Sequence, residues 1–433
     1  MAKQFYILTF GCQMNEYDSE VLESLLASGG YIQTDKPENA DLAVINTCSV
    51  RQKAETRALA RIAQIAALKG RKPNLIVVVA GCMARRAGED IIAQIPGVDY
   101  VVGPDYIPEI PDIINSKGKA RVFVEEKSEA TGISTKSRPG RVTAFIAITR
   151  GCENYCSYCI VPYVRGSLRS RPLSSIKAEM AILMETGAKD ITLLGQNVNS
   201  YQDDGLDFPG LLYKLANGGP SRLRFLTSHP KDMSDKLIQC FADIPTLCDS
   251  LHLPLQAGSD TILNAMNRGY SSAHYLNLIE KLRKAAPDIS LTTDLIVGFP
   301  GETEADFEAT LDMVRQIEYD SAFMFRYSVR PGTKAAEMVD DVPEEVKIER
   351  LNRLIELQQE IAARRNARWQ DRTVEVLIEK HSRREPRYPQ GRARGGQSVL
   401  ITDNDNLKKG DIVLAKIEST KSRSLFGSFE KFA

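Results

Sequence analysis

Short apolar runs alternate with helix-period stretches along the first 125 residues. FYILTF ends at Gly11 and Cys12, LAVINT ends at Cys48, and LIVVVA ends at Gly81 and Cys82. Helical stretches run from Tyr17 to Ala27 and from Arg51 to Leu68, the second with Leu59, Ile62, Ala63 and Ala66 on its apolar side. This alternation predicts an open parallel α/β domain over residues 1–125. In such a sheet the carboxyl ends of the strands lie along one edge, where ligands bind. Three thiols far apart in sequence can therefore meet in space.

Residues 126–140, EKSEATGISTKSRPG, carry no apolar periodicity and read as a linker. From 141 to 370 the strand-like runs TAFIAIT, DITLLG, RLRFLTS, SLHLPLQ, ISLTTDLIVG and SAFMFRYS are separated by helical patterns. Six such units predict a partial (β/α)6 barrel with its active site at the carboxyl ends of the strands. Pro172, Ser174 and Ser175 open the first of its helices and Gly187 closes it. Thr303 with Asp306 forms a capping box before Phe307, Leu311 and Val314. After Pro343, Val346, Leu351, Leu354, Ile355 and Leu357 mark a long amphipathic helix. Residues 371–433, with TVEVLIEK, QSVLIT, DIVLAKIES and SLFGSF, predict a small antiparallel β-barrel.

Composition narrows the class. The 433 residues are 43% hydrophobic, ample for two to four buried cores, and the formal net charge is zero. Any nucleic-acid surface must therefore be local. Residues 371–433 hold 13 Lys and Arg against 9 Asp and Glu. Arg383, Arg384, Arg387, Arg392 and Arg394 crowd one stretch around Tyr388, where guanidiniums can pair with phosphates and stack on bases. A solvated charged loop is the competing reading. Eight cysteines are too few and too scattered for a disulfide framework, and thiols that hold clusters require a reducing compartment. No apolar run reaches the ~18 residues of a membrane span, and the N-terminus lacks a signal-peptide pattern. A cytoplasmic enzyme is expected.

The chemistry centres on Arg150 to Gly166, RGCENYCSYCIVPYVRG. Cys152, Cys156 and Cys159 stand in a C-x3-C-x2-C array directly after a strand. Three thiolates suit a 4Fe-4S cluster whose fourth iron is left open, whereas a structural zinc would need a fourth Cys or His. Three buried thiols without metal remain the alternative. The three strand-end cysteines Cys12, Cys48 and Cys82 suggest a second cluster over three small buried hydrophobes. Cys240 and Cys248 read as structural, and His252 as a packed core histidine.

The C-x3-C-x2-C array with Tyr158 before its last cysteine resembles the radical S-adenosylmethionine (SAM) enzymes. That resemblance implies that the open iron takes the amino and carboxylate groups of SAM and that Tyr158 lies near the adenine. It further implies SAM contacts from Gly195, Gln196 and Asn197, from Gln256 and Ser259, and from the backbone at Ile296, Val297 and Gly298. Gln196 and Asn197 depart from the commoner acidic ending. With the C-terminal barrel similar to the TRAM domain, an RNA-binding module, the whole chain resembles the radical SAM methylthiotransferases. TFGCQMNEYDSE and LLGQNVNSY look most like the branch that acts on N6-dimethylallyladenosine next to the anticodon (position 37) of tRNA. Branches acting on threonylcarbamoyl-adenosine or on a ribosomal protein are the alternatives. Val164, Ser167 and Leu168 depart from the family pattern beside the cluster loop.

The resemblance implies two 4Fe-4S clusters, on Cys152/Cys156/Cys159 and on Cys12/Cys48/Cys82, and two SAM per turnover, one as radical source and one as methyl donor. It implies no side-chain acid or base, a tRNA partner, unidentified sulfur and electron donors, no membrane association and a monomer. An RNA-binding iron–sulfur sensor would need no SAM motifs. A one-cluster methyltransferase would need no N-terminal cysteine triad.

Overall fold

The computed structural model describes residues 2–49, 52–116, 121–127, 140–382, 387–421 and 424–433. The linker reading at 126–140 falls almost wholly outside them, as do Arg383 and Arg384. At the N-terminus, β1 (Gln4–Thr9), β2 (Ile32–Gln33), β3 (Leu42–Thr47), β4 (Ile76–Gly81), β5 (Tyr100–Val102) and β6 (Val122–Phe123) form a parallel sheet in the order β2-β1-β3-β4-β5-β6. Both faces are covered. Ala43, Ile45, Val77 and Val79 meet Ala58, Ile62 and Ile65 of the helix Gln52–Ala67. The alternate positions Leu42, Val44, Val78 and Ala80 meet Leu22 and Leu26 of the helix Gln13–Ser28 and Ile107 and Ile110. The period-2 alternation of side chains puts one apolar set on each face. Strand order reverses between β1 and β3, the switch point at which doubly wound sheets bind ligands.

The central unit holds β7 (Thr143–Ala147), a hairpin of β8 (Thr149–Arg150) and β9 (Arg169–Ser170), β10 (Asp190–Leu194), a second hairpin of β11 (Gln202–Asp203) and β12 (Leu206–Asp207), and β13 (Arg222–Phe225). After these come β14 (Ser250–His252), β15 (Ser290–Val297) and β16 (Ser321–Arg326). All six expected strands form, as two parallel three-stranded sheets, β7-β10-β13 and β14-β15-β16. The arc is continued between them by one bridge, Leu223 to Leu247, where Leu223 N donates to Thr246 O at 2.8 Å and Cys248 N to Leu223 O at 2.9 Å. One large core fills the interior with Ile191, Leu193, Phe225, Leu253 and Leu295. The Thr303/Asp306 capping box is present, with Thr303 N donating to Asp306 Oδ2 at 3.0 Å and Asp306 N to Thr303 Oγ1 at 3.2 Å. Cys240 and Cys248 are fully buried, away from both cysteine triads in sequence and among core side chains.

The long helix runs from Glu344 to Ala367, but its buried stripe is not the apolar one expected. Lys347, Arg350, Leu354, Gln358 and Ile361 are buried, while Val346, Leu351, Ile355 and Leu357 are only half-buried. The polar members are tied into the barrel: Arg350 donates to Glu302 O at 3.0 Å and Gln358 to Tyr319 O at 2.8 Å. A buried polar group is tolerated where it finds such partners.

The C-terminal strands β17 (Thr373–His381), β18 (Pro389–Ala393), β19 (Ser398–Ile401), β20 (Ile412–Lys421) and β21 (Ser424–Phe432) close a barrel in the order β17-β18-β19-β21-β20. β18 lies in the stretch expected to be an arginine loop. Arg392 sits in that strand and donates to Glu379 at 3.1 Å, and Arg394 donates to Pro245 O and Leu247 O of the central unit. Among the described arginines of the stretch, Arg387 is exposed and stacks 4.5 Å from the Tyr388 ring. From the other side, fully buried Arg222 donates to Glu375 at 2.8 Å and to Arg392 O at 2.6 Å.

Candidate active site

Cys12, Cys48 and Cys82 follow the carboxyl ends of β1, β3 and β4, side by side across the switch point. Cys12 is exposed, Cys48 and Cys82 are buried. The strand ends crowd closely enough to demand glycine. Gly11 has φ +116°, and a Cβ there would stand 2.6 Å from Cys48 Cβ; Gly81 has φ +94°, and a Cβ there would stand 2.4 Å from Thr47 O. Asn15 staples the ends together, its Nδ2 donating to Phe10 O at 2.8 Å and Thr47 O at 2.9 Å. Burial pushes the Cys82 thiol above its ordinary pKa, against the pull of the Arg165 guanidinium beside it, and Cys12 lies near enough to add to the rise.

Cys152, Cys156 and Cys159 occupy the loop between β8 and the short helix Val161–Arg165. The loop is tied at both ends: Gly151 N donates to Gln196 Oε1 at 2.6 Å and Cys152 N to Gly166 O at 3.1 Å. Gly151 has φ +79°, and a Cβ would fall 1.9 Å from Ser167 O, so the crossing chain excludes any side chain there. At the middle, Ser157 N donates to Met266 O at 2.9 Å and Asn267 Nδ2 to Tyr155 O at 3.0 Å. Burial and the neighbouring Cys156 push the Cys159 thiol up to about 12, and burial raises Cys152 as well.

Burial of this kind disfavours a bare thiolate, so a thiolate at these positions needs a cation beside it. Thiolates are the metal-binding form, and binding iron drives off the protons. Among the described residues no three Cys, His, Asp or Glu side chains close on a single ion. A four-iron cluster takes its thiolates at separate corners of a cube, and each triad, with Cys12 exposed, Cys159 part-buried and the other four buried, offers three thiols to one.

Three residues that spacing did not reveal complete the surroundings. Arg268 donates from Nη1 to Cys156 Sγ at 3.2 Å and to the Tyr158 hydroxyl at 3.3 Å, and from Nη2 to Pro254 O at 3.0 Å. His229 brings Nε2 to 4.0 Å from Cys156 Sγ while Nδ1 accepts from Lys231 N at 3.2 Å. Arg165 donates from Nε to Cys82 Sγ at 3.1 Å. His229 and Arg268 lie far along the chain from the cysteines; Arg165 sits inside the segment already singled out, where its place at the end of the loop was the available signal.

The residues expected around SAM divide. Gln196 reaches the cluster loop as described, and Tyr158 shares Arg268 with Cys156. Asn197 donates to Asp232 at 2.6 Å and leaves its buried Oδ1 without a partner among the described residues, an acceptor open to a ligand N–H. Gln256, at φ +74°, pairs with β15: its N donates to Asp294 O and its O accepts from Ile296 N, both at 2.9 Å. Gly195 is pressed against Thr149, whose Oγ1 a Cβ would meet at 2.0 Å. Ser259 turns aside, its hydroxyl donating to Asp306. Val297 is buried, and Gly298 gives its N–H to Glu302 and faces Lys347. His252 is half-buried, 2.9 Å from Thr292 Oγ1 and 3.5 Å from Asp294. Of the departing residues, Val164 packs on Cys82 and Ile160, and Ser167 N donates to Glu126 at 2.7 Å; Leu168 is partly exposed.

The first helix of the N-terminal unit lies over the ends of β7 and β10: Met14, Tyr17 and Val21 pack on Ala147 and Leu194. Tyr17 donates to Glu179 at 3.2 Å, and Arg171 donates to the same carboxylate at 2.6 Å. The two cysteine groups thus meet at one junction, joined by Arg165 and the first helix.

Residues 4–103 match Uncharacterized protein family UPF0004, and residues 146–314 match the Radical SAM superfamily. The latter implies a 4Fe-4S cluster and SAM. The fold is similar to that of the radical S-adenosylmethionine methyltransferase TsrM from Kitasatospora setae, with a TM-score of 0.60 at 16% identity over 78% of this chain and 77% of that one. That likeness concerns the fold alone. In sequence, the chain is 44% identical to a tRNA-2-methylthio-N(6)-dimethylallyladenosine synthase of Clostridium botulinum, over 98% of this chain and 96% of that protein. It is 43% identical to the synthases so named in Thermodesulfovibrio yellowstonii, with 98% and 97% covered, and Carboxydothermus hydrogenoformans, with 98% and 99% covered. Identity of this order along nearly the whole of both chains goes beyond a common fold: the protein belongs to the family of tRNA-2-methylthio-N(6)-dimethylallyladenosine synthases, among the radical SAM methylthiotransferases.

Proposed function

We propose that the protein methylthiolates C2 of N6-dimethylallyladenosine next to the anticodon (position 37) of tRNA. Its relatives are named for this reaction. The structural observation that carries the reading is the shared junction of two cysteine triads, bridged by Arg165 between the cluster loop and Cys82. Cys152, Cys156 and Cys159 would hold the cluster that works with SAM, and Cys12, Cys48 and Cys82 a second one. When bound, these groups and two SAM molecules supply the one-electron chemistry, the sulfur and the methyl group. Residues 1–125 act as the methylthiotransferase domain, 126–140 as linker, 141–370 as the radical SAM core and 371–433 as the TRAM RNA-binding domain. The protein works as a cytoplasmic monomer, where thiols stay reduced.

The C2–H of an adenine is not acidic enough for a side-chain base, so the residues orient and exclude while the cofactors do the chemistry. Arg268 fixes Cys156 and Tyr158 relative to one another. The free Asn197 Oδ1 offers an acceptor to the SAM ammonium. The first helix covers the strand ends against water. A target base must leave its stack to reach this mouth. Burying the five carbons of the prenyl group contributes up to ~4 kcal/mol at ~0.8 kcal/mol each, enough to favour the prenylated base over plain adenosine. Mass spectrometry of nucleosides, after incubation of tRNA with protein, SAM, sulfide and a reductant, tests the assignment. Methylthiolation of the dimethylallyl form supports it; turnover of threonylcarbamoyl-adenosine or of a ribosomal-protein peptide alone overturns it.

A further inference from the structure

Arg165 ends the segment that carries Cys152, Cys156 and Cys159, yet its side chain serves the other triad. All three guanidinium nitrogens are engaged on the N-terminal unit: Nε with Cys82 Sγ at 3.1 Å, Nη1 with Asp18 Oδ2 at 2.9 Å and Nη2 with Asn15 Oδ1 at 2.6 Å. The residue is 3% exposed. Its partners are themselves fixed. Asn15 is tied to the ends of β1 and β3, and the second oxygen of Asp18 is taken by Arg150 Nη2 at 2.6 Å. The guanidinium therefore stands as a permanent charge aimed at one sulfur. Arg268 stands in the same relation to Cys156 at 3.2 Å. Each triad has a buried guanidinium on one of its thiols, and of these two Arg165 is the one that reaches its thiol from across the junction.

We propose that Arg165 is a positioning residue that sets the reduction potential of an N-terminal cluster from the cluster loop of the radical SAM core. The proposal rests on the reading that Cys12, Cys48 and Cys82 hold that cluster. Hydrogen bonds to the sulfurs and the net charge around a cluster are among the determinants of its potential. A cation donating to a ligand sulfur favours the reduced, more negative state, so its removal moves the potential down. Because the donor belongs to the loop that holds the other cysteines, whatever displaces that loop changes the electron affinity of the neighbouring site.

The test uses the full chain carrying C152A, C156A and C159A, reconstituted anaerobically with iron and sulfide, so that only the N-terminal cluster reports. Dithionite titration followed by electron paramagnetic resonance gives its potential. Arg165→Met is expected to shift it to more negative values, Arg165→Lys to shift it less, and Arg268→Met to leave it in place. An unshifted potential in R165M, or an equal shift in R268M, overturns the proposal while leaving the second cluster standing. If the triple variant with Arg165 intact binds no iron, the two-cluster reading fails and the proposal with it.

Discussion

The Asp18 carboxylate receives Arg150 Nη2 on Oδ1 at 2.6 Å, with Asp18 1% and Arg150 5% exposed. The contact joins the first helix of the N-terminal unit to the strand that leads into the cluster loop. Its other oxygen holds Arg165, so one carboxylate bridges two buried guanidiniums. Removing a single partner from such a site strands buried charge. Asp18→Ala is expected to cost ~3–5 kcal/mol, read as a lower midpoint in equilibrium urea unfolding. Asp18→Asn, which keeps the shape and one acceptor, should cost less.

Iron content separates the two triads. The ligands come from different units, so replacing Cys152, Cys156 and Cys159 with Ala is expected to leave about four irons per chain, the content of one 4Fe-4S cluster. Replacing Cys12, Cys48 and Cys82 should leave a similar amount and preserve SAM cleavage. Colorimetric iron and sulfide analysis after anaerobic reconstitution checks both.

Arg387 is exposed on the C-terminal barrel and has no carboxylate partner among the described residues. Arg387→Ala is expected to weaken tRNA binding and to reduce the slope of log affinity against log salt by ~1, as for one lost phosphate contact. Arg392→Ala, which removes a side chain already bonded to Glu379, should change the slope less. Filter binding across a salt series distinguishes them.

Glu302 gives the fold a pH dependence near neutrality. Burial raises its carboxyl to about 7, against the pull of Arg350 and the N–H groups of Gly298 and Phe299. Between the ordinary carboxylate value and about 7 the folded chain holds a proton that the unfolded chain has released. Stability from this group is present at low pH and lost as pH rises to about 7. At ~1.4 kcal/mol per pH unit the swing is roughly 3 kcal/mol at most. Glu302→Gln should flatten the stability profile over roughly pH 5 to 7, between the ordinary carboxylate value and the raised one, as followed by urea midpoints.

The long strands and their order along the chain were legible because each is a compact apolar run closed by a turn residue, whereas the two- and three-residue strands β2, β5, β6, β8, β9, β11 and β12 are too short to show a pattern. The β18 strand was not, since PQGRA carries no apolar alternation and takes its place through pairing with β17 and β19. The buried face of Glu344–Ala367 was hidden for a related reason: Lys347, Arg350 and Gln358 read as solvent-facing until the carbonyls and carboxylates that receive them are known. The six cysteines stood out by spacing and strand-end context. Asp18 and Arg165 act through contacts between units, and Arg268 and His229 through contacts with Cys156 from more than seventy residues along the chain, which no local pattern encodes.

Arg222 and Arg224 give the C-terminal barrel a fixed seat. Their guanidiniums reach the backbone oxygens of Arg392, Ala393 and Arg394, so β18 cannot lift away without exposing buried cations. If an RNA is held on that barrel, the seat would work as a ruler: with the span from seat to mouth fixed, the nucleotide that enters would be chosen by its distance along the RNA as well as by its chemistry. Lengthening the turn around Asp371 would then displace modification along the RNA while leaving both cysteine sites intact.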